Sequence, residues 1–165
     1  SLRVSYSHMT IHLICLGKLK ESFWREAEAE YVKRLKPFVR LEIHELREES
    51  FTEKDVRELV KQKEAEKITS VLEKIKDAFV IMLDEHGTEY SSTDFSKKLS
   101  VWSVDHSNLV FVMGGPLGLS AELLARATTK IALSRYTFTH QTARIILIEH
   151  LYRGCMITPG RSSHY

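Results

Sequence analysis

The sequence is poor in the residues that staple, kink or anchor a chain. It holds two cysteines, three prolines and seven glycines in 165 residues. Cys15 and Cys155 sit in apolar surroundings with no CxxC spacing. That usage excludes a disulfide framework and predicts reduced thiols in a cytoplasmic protein. The eight histidines form no His/Cys cluster along the chain, so no metal is expected. No run of 18 apolar residues occurs, so no membrane span is expected. There is no strong excess of one charge either. A formal net charge of +2 neither demands nor excludes a polyanionic partner, and a local basic patch would matter more.

What remains is an ordinary balance, 43% hydrophobic and 28% charged, long enough for one domain with a real core. Residues 1–8, "SLRVSYSH", read poorly as structure, whereas Met9 opens a strand-like run. The natural chain is therefore expected to start at Met9 and to form a single domain over residues 9–165. Apolar strand patterns, "IHLICLG", "VRLEIHEL", "AFVIML", "NLVFVMGG" and "KIALS", alternate with helical ones. The first helix carries Phe23, Ala27, Tyr31 and Leu35 on one stripe and stops at Pro37. Residues 53–76 form the second, with Val56, Leu59, Val60, Ile68, Val71, Leu72 and Ile75 as its apolar face. "SSTDFSKKLSVWS", "SAELLARAT" and "HQTARIILIEHLYRGCMI" supply three more, the fourth capped by Ser120. The pattern predicts an α/β domain with a mostly parallel sheet of five to six strands and helices on both faces.

In open α/β sheets, ligands sit beyond the carboxyl ends of strands. Three such ends are unusual here: "LDEHG" (83–87), "MGGPLG" (113–118) and "LSRYTFTHQ" (133–141). Gly114 and Gly115 lack Cβ and permit close approach of a ligand. Their loop is neither GxGxxG nor a P-loop, and Pro116 removes a donor where a phosphate would want one. It suits a flat group lying on backbone, or is simply a tight strand-to-helix turn. The third end gathers Arg135, Tyr136, Phe138, His140 and Arg144, types that stack on bases and neutralise phosphates. The same aromatics could instead complete the core, and His140 could cap the last helix. That helix is apolar nearly all round, from Ile145 to Tyr152, which predicts the sheet on one side and a partner subunit on another.

These stretches, with "GKLKESFWREAEAEYVKRLKPF", "FVMGGPLGL", "ALSRYTFTHQTARIILIEHLYR" and a C-terminal histidine, resemble the ribosomal RNA large subunit methyltransferase H family. The resemblance runs from Met9 to Tyr165. It implies a SPOUT-class α/β knot with a C-terminal trefoil, an exception to the rule that chains do not thread. It implies a homodimer that binds S-adenosyl-L-methionine and acts in the cytoplasm. The implied activity is methylation of N3 of a pseudouridine in a 23S rRNA stem-loop, within the assembled 70S ribosome. The implied cofactor contacts are Leu83, Gly114, Leu133, Ser134, Arg135, Tyr136, Thr137 and Phe138, with no metal. They fall on the three strand ends already singled out. The tail "TPGRSSHY" departs from the family: His164 matches, but Ser163 stands where a tyrosine is expected and Pro159 where a basic residue is.

Methylating an imide nitrogen requires its anion, so a cation or base must favour proton loss. Arg144 is the candidate cation, and His164 the candidate proton acceptor or base-positioning group. Water is an alternative base. A nucleotide-dependent oxidoreductase is disfavoured, because the glycine loop lies too late and lacks the fingerprint. A methyltransferase of another rRNA or tRNA nucleotide, and a non-catalytic RNA-binding module, remain as alternative readings.

Overall fold

The computed structural model describes residue 6 and residues 8–157. Pro159, Arg161, Ser163 and His164 therefore lie outside the described residues. Five strands alternate with five helices: β1 (Thr10–Leu16), α1 (Ser22–Leu35), β2 (Arg40–Leu46), α2 (Arg57–Leu72), β3 (Ala78–Thr88), α3 (Ser92–Val104), β4 (Asn108–Val112), α4 (Ala121–Leu124), β5 (Thr129–Ile131) and α5 (His140–Met156). The strands form one sheet in the order β2-β1-β4-β3-β5, and every pairing is parallel. Central strands of such a sheet are covered on both faces and read as unbroken apolar runs. β1 and β4 fit this, with all but their first residues buried. β2 is an edge strand, and none of its residues is fully buried.

Strand alternation divides the core into two layers. On one face Ile11, Leu13, Ile81, Leu109 and Phe111 pack with Leu35 of α1, Phe95 and Leu99 of α3, and Leu147, Ile148 and Leu151 of α5. On the other, Ile14, Leu16, Met82, Val110 and Val112 pack with Ile68 and Leu72 of α2 and Leu123 of α4. Helices thus cover both faces. α5 lies between α1 and α3 against the sheet, and none of its residues is fully exposed. Leu147, Ile148 and Leu151 are buried by this chain, while Ile145, Ile146 and Tyr152 keep partial exposure on the other sides of the helix. Ile148 is completely buried in the core.

Other boundaries moved for physical reasons. α2 buries Val60, Glu64, Ile68 and Leu72, a strict i, i+4 stripe, while Val56 and Leu59 are more than half exposed. α1 buries Leu35, but Phe23 at the start of its stripe stays exposed. α4 is one turn, capped by the Ser120 hydroxyl accepting from Leu123 N. β3 does not close at "DEHG" but runs on to Thr88, with a bulge between Leu83 and Thr88 where both pair with Ile131 of β5. Gly87 permits this: a Cβ there would sit 2.6 Å from the Ile131 carbonyl carbon.

Candidate active site

Because all strands run parallel, their carboxyl ends share one edge of the sheet. β4 lies beside β3, and β3 beside β5, so Leu83, the Gly114 loop and residues 133–138 emerge as neighbours there. Leu83 is half-buried at the β3 bulge. Met113 N still donates to Ile14 O (2.9 Å), so the sheet ends just before Gly114. A turn then folds back, with Gly118 N donating to Gly115 O (3.0 Å) and Gly118 at φ +78°.

The reason for glycine at 114 is internal to this loop. An added Cβ would lie 2.9 Å from Leu119 Cδ2 and 3.0 Å from the Gly118 carbonyl carbon. The returning turn, rather than a ligand, occupies that space. At Gly115 a Cβ would lie 3.1 Å from Oε2 of Glu64, whose side chain reaches up from α2. Glu64 is buried and accepts from Glu49 N (3.4 Å). Burial pushes its carboxyl pKa up; the Glu49 amide opposes this, while the Glu48 and Glu49 charges add to it.

Residues 133–138 form an open segment. Leu133 and Ser134 are half-buried, and Arg135, Tyr136, Thr137 and Phe138 are exposed, Tyr136 at 81%. The Ser134 hydroxyl accepts from Tyr136 N (3.0 Å) and holds the turn. Among the described residues, no backbone–backbone hydrogen bond engages Leu133 through Phe138. Apart from Tyr136 N, their amides and carbonyls have no hydrogen-bond partner among the described residues, which suits the edge of an adenine lying on backbone. The residues present therefore fit a nucleoside-type cofactor by chemistry. Thr139, not His140, caps α5, its hydroxyl accepting from Thr142 N (3.4 Å). His140 instead faces Gly17 beyond β1, lining a crevice with Cys15, Met113, Gly114 and Arg144.

Arg144 is buried at the floor of this crevice. Its Nε and Nη2 donate to the two oxygens of Glu28 on α1 (Nη2 to Oε1, 3.0 Å), and Nη1 donates to Glu45 on β2 (2.8 Å). Burial opposes its charge, but the hydrogen bonds to Glu28 and Glu45 outweigh it and raise the pKa. The cluster of one guanidinium and two carboxylates is net negative. Cys15 packs beside it, and burial pushes its thiol up to about 11. Beyond the carboxyl ends of β1 and β2, a cavity of about 800 Å³ opens, lined by Lys18, Lys20, Arg47, Glu48 and Phe51 among others.

The sequence singles out the three strand ends and Arg144. It does not single out Glu28 or Glu45, which lie 116 and 99 residues from Arg144. Glu64 carried a usable signal, because it interrupts an otherwise apolar i, i+4 stripe.

The family model described as a predicted SPOUT methyltransferase matches residues 9–164. A ribosomal RNA large subunit methyltransferase H from Ligilactobacillus salivarius is 45% identical over 161 residues, covering 94% of this chain and 99% of the relative. Proteins of the same name from Lactiplantibacillus plantarum and Clostridium acetobutylicum are each 42% identical over 161 residues, with the same coverage.

Proposed function

This chain belongs to the SPOUT methyltransferase family, and on that premise we propose that it methylates large-subunit ribosomal RNA at N3 of a pseudouridine, as a cytoplasmic homodimer acting on the assembled ribosome. The observation that carries this reading is similarity over nearly the full length of relatives named for that RNA. S-adenosyl-L-methionine would supply an electrophilic methyl group on sulfur. The open segment Leu133 to Phe138 would hold its nucleoside, flanked by Leu83 and Gly114 on the neighbouring strand ends. A C-terminal knot would hold these loops together.

The reaction joins N3 of the target base to the methyl carbon, breaks the carbon–sulfur bond, and releases the N3 proton. The chain must align these atoms and exclude water. In the single chain, Glu28 and Glu45 take three of the five N–H groups of Arg144. We therefore assign it to positioning: it clamps α5 to α1 and β2 beneath the crevice. Stabilising the N3 anion would fall to its two other N–H groups. His164 is retained as the candidate proton acceptor or base-positioning group. Tyr136 and Phe138, exposed in one protomer, supply stacking or subunit contact.

Binding and transfer test the two halves separately. Calorimetry should show S-adenosylmethionine binding, and ribosomes should accept a labelled methyl group from it. Binding without transfer to any RNA would sink the enzyme reading. Transfer to tRNA instead would favour the other SPOUT substrates.

A further inference from the structure

A second cluster lies at the opposite end of the sheet and plays no part in the proposed methyl transfer. Strand alternation turns His12 of β1 and Glu42 and His44 of β2 towards the α2 face, alongside Ile14 and Leu46. The parallel register sets His12 opposite Glu42, with His44 one same-face position further on. The three donor atoms form a compact triangle. His12 Nδ1 lies 2.9 Å from His44 Nε2 and 3.6 Å from Glu42 Oε2, and His44 Nε2 lies 3.9 Å from the same oxygen. A point equidistant from atoms so spaced lies about 2.0 Å from each, the length of a zinc–nitrogen or zinc–carboxylate bond.

We propose that His12, Glu42 and His44 form a binding site for one divalent cation of the Zn²⁺ class. The outer shell is already in place. Asn108 Nδ2 donates to Lys76 O (2.7 Å), which turns its Oδ1 towards His12 Nε2 at 2.9 Å. His12 must then carry its proton on Nε2, leaving the Nδ1 lone pair facing His44 Nε2 across nearly parallel rings whose centroids are 5.2 Å apart, so the imidazoles must tilt to bring both nitrogens onto a cation. Arg40 Nη2 holds the other Glu42 oxygen, Oε1, at 2.9 Å, so Oε2 faces the imidazoles. Without a cation, His44 Nε2–H donates to His12 Nδ1; with one, His44 takes the other tautomer. In front of the triangle a cavity of about 410 Å³, lined by Val71, Lys74, Ile75 and Lys76, leaves room for a water or anion as fourth ligand. Two imidazoles, one carboxylate and an open position suit zinc better than magnesium or calcium, which prefer oxygen donors. Lys74 and Lys76 oppose a cation by charge and favour a hydroxide or other anion on it.

The proposal stands apart from the methyltransferase reading, and its test needs neither RNA nor S-adenosylmethionine. The chelator-treated full chain is titrated with Co²⁺, followed by visible absorption, and then with competing Zn²⁺. One equivalent per chain with tetrahedral-type bands is expected. His44→Ala and Glu42→Gln, each confirmed folded by circular dichroism, should weaken it more than 100-fold, beyond the roughly 10–100-fold typical of losing an outer-shell partner. Asn108→Ala should fall in that outer-shell range. Zn²⁺ should raise the melting temperature of the parent chain and not of His44→Ala. No binding by the folded parent, or equal affinity in His44→Ala and Glu42→Gln, would overturn the proposal.

Discussion

Arg144 and Glu64 show how differently buried charge behaves in one small domain. Arg144 is bound by two carboxylates, so removing it strands both. Arg144→Met should cost about 3–5 kcal/mol, the usual scale for breaking a buried ion pair. Urea denaturation measures this, and a loss below about 1 kcal/mol would contradict the clamp. Among the described residues Glu64 has no cationic partner within hydrogen-bond reach; its hydrogen bond comes from the Glu49 amide. Its pKa is raised in the fold, chiefly by burial. A raised carboxyl favours the folded state below its ordinary value of about 4.3, and that contribution is lost as pH rises through the raised pKa. Glu64→Gln should therefore have a higher urea midpoint at pH 7, with the advantage vanishing towards about pH 4. A lower midpoint at pH 7 would show that the carboxylate is held favourably as an anion. The sequence made Arg144 visible as a residue of interest but not its partners, because Glu28 and Glu45 join it only through the crossing of α5 over α1 and β2. His12, Glu42 and His44 escaped for a similar reason. They are paired across parallel strands, about 30 residues apart, rather than clustered along the chain.

Elements were more legible than residues, and their failures have causes. Each predicted strand and helix exists because apolar period fixes type well. Ends moved where tertiary contacts decided them. β3 outran its sequence signal because Gly87 lets it press against the Ile131 backbone. Gly87→Ala should force these strands apart, costing roughly 1–3 kcal/mol, the scale of overpacking. It should also weaken S-adenosylmethionine binding, since β5 leads directly into Leu133–Phe138. Calorimetry on the folded variant checks this, and unchanged affinity would detach the cofactor segment from the bulge. α5 looked like half of an interface because its apolar residues run nearly all round. Its Leu147, Ile148 and Leu151 pack into this chain's own core, with Ile145, Ile146 and Tyr152 partly exposed, and Ser96 of α3 ties its end by donating to Gly154 O and Ile157 O (2.8 Å each). Ile148→Asp is thus a test of folding, not of assembly.

At the scale of the whole molecule, a net charge of +2 gives one chain little electrostatic hold on RNA. Recognition should depend on a large structured target, because even the cavity beyond β1 and β2 balances Lys18, Lys20 and Arg47 with Glu45, Glu48 and Glu49. Intact 70S particles should therefore be methylated far better than the isolated stem-loop, and equal rates on a short hairpin would refute that. Light scattering should find a dimer at micromolar concentration, with Tyr136 and Phe138 covered. The most direct measurement is transfer of labelled methyl from S-adenosylmethionine to ribosomes from a strain lacking the enzyme, with the modified nucleotide mapped by mass spectrometry. The account predicts one methyl group on N3 of a pseudouridine in the large-subunit RNA. Label on a different nucleotide, or no label with folded protein and active ribosomes, would contradict it.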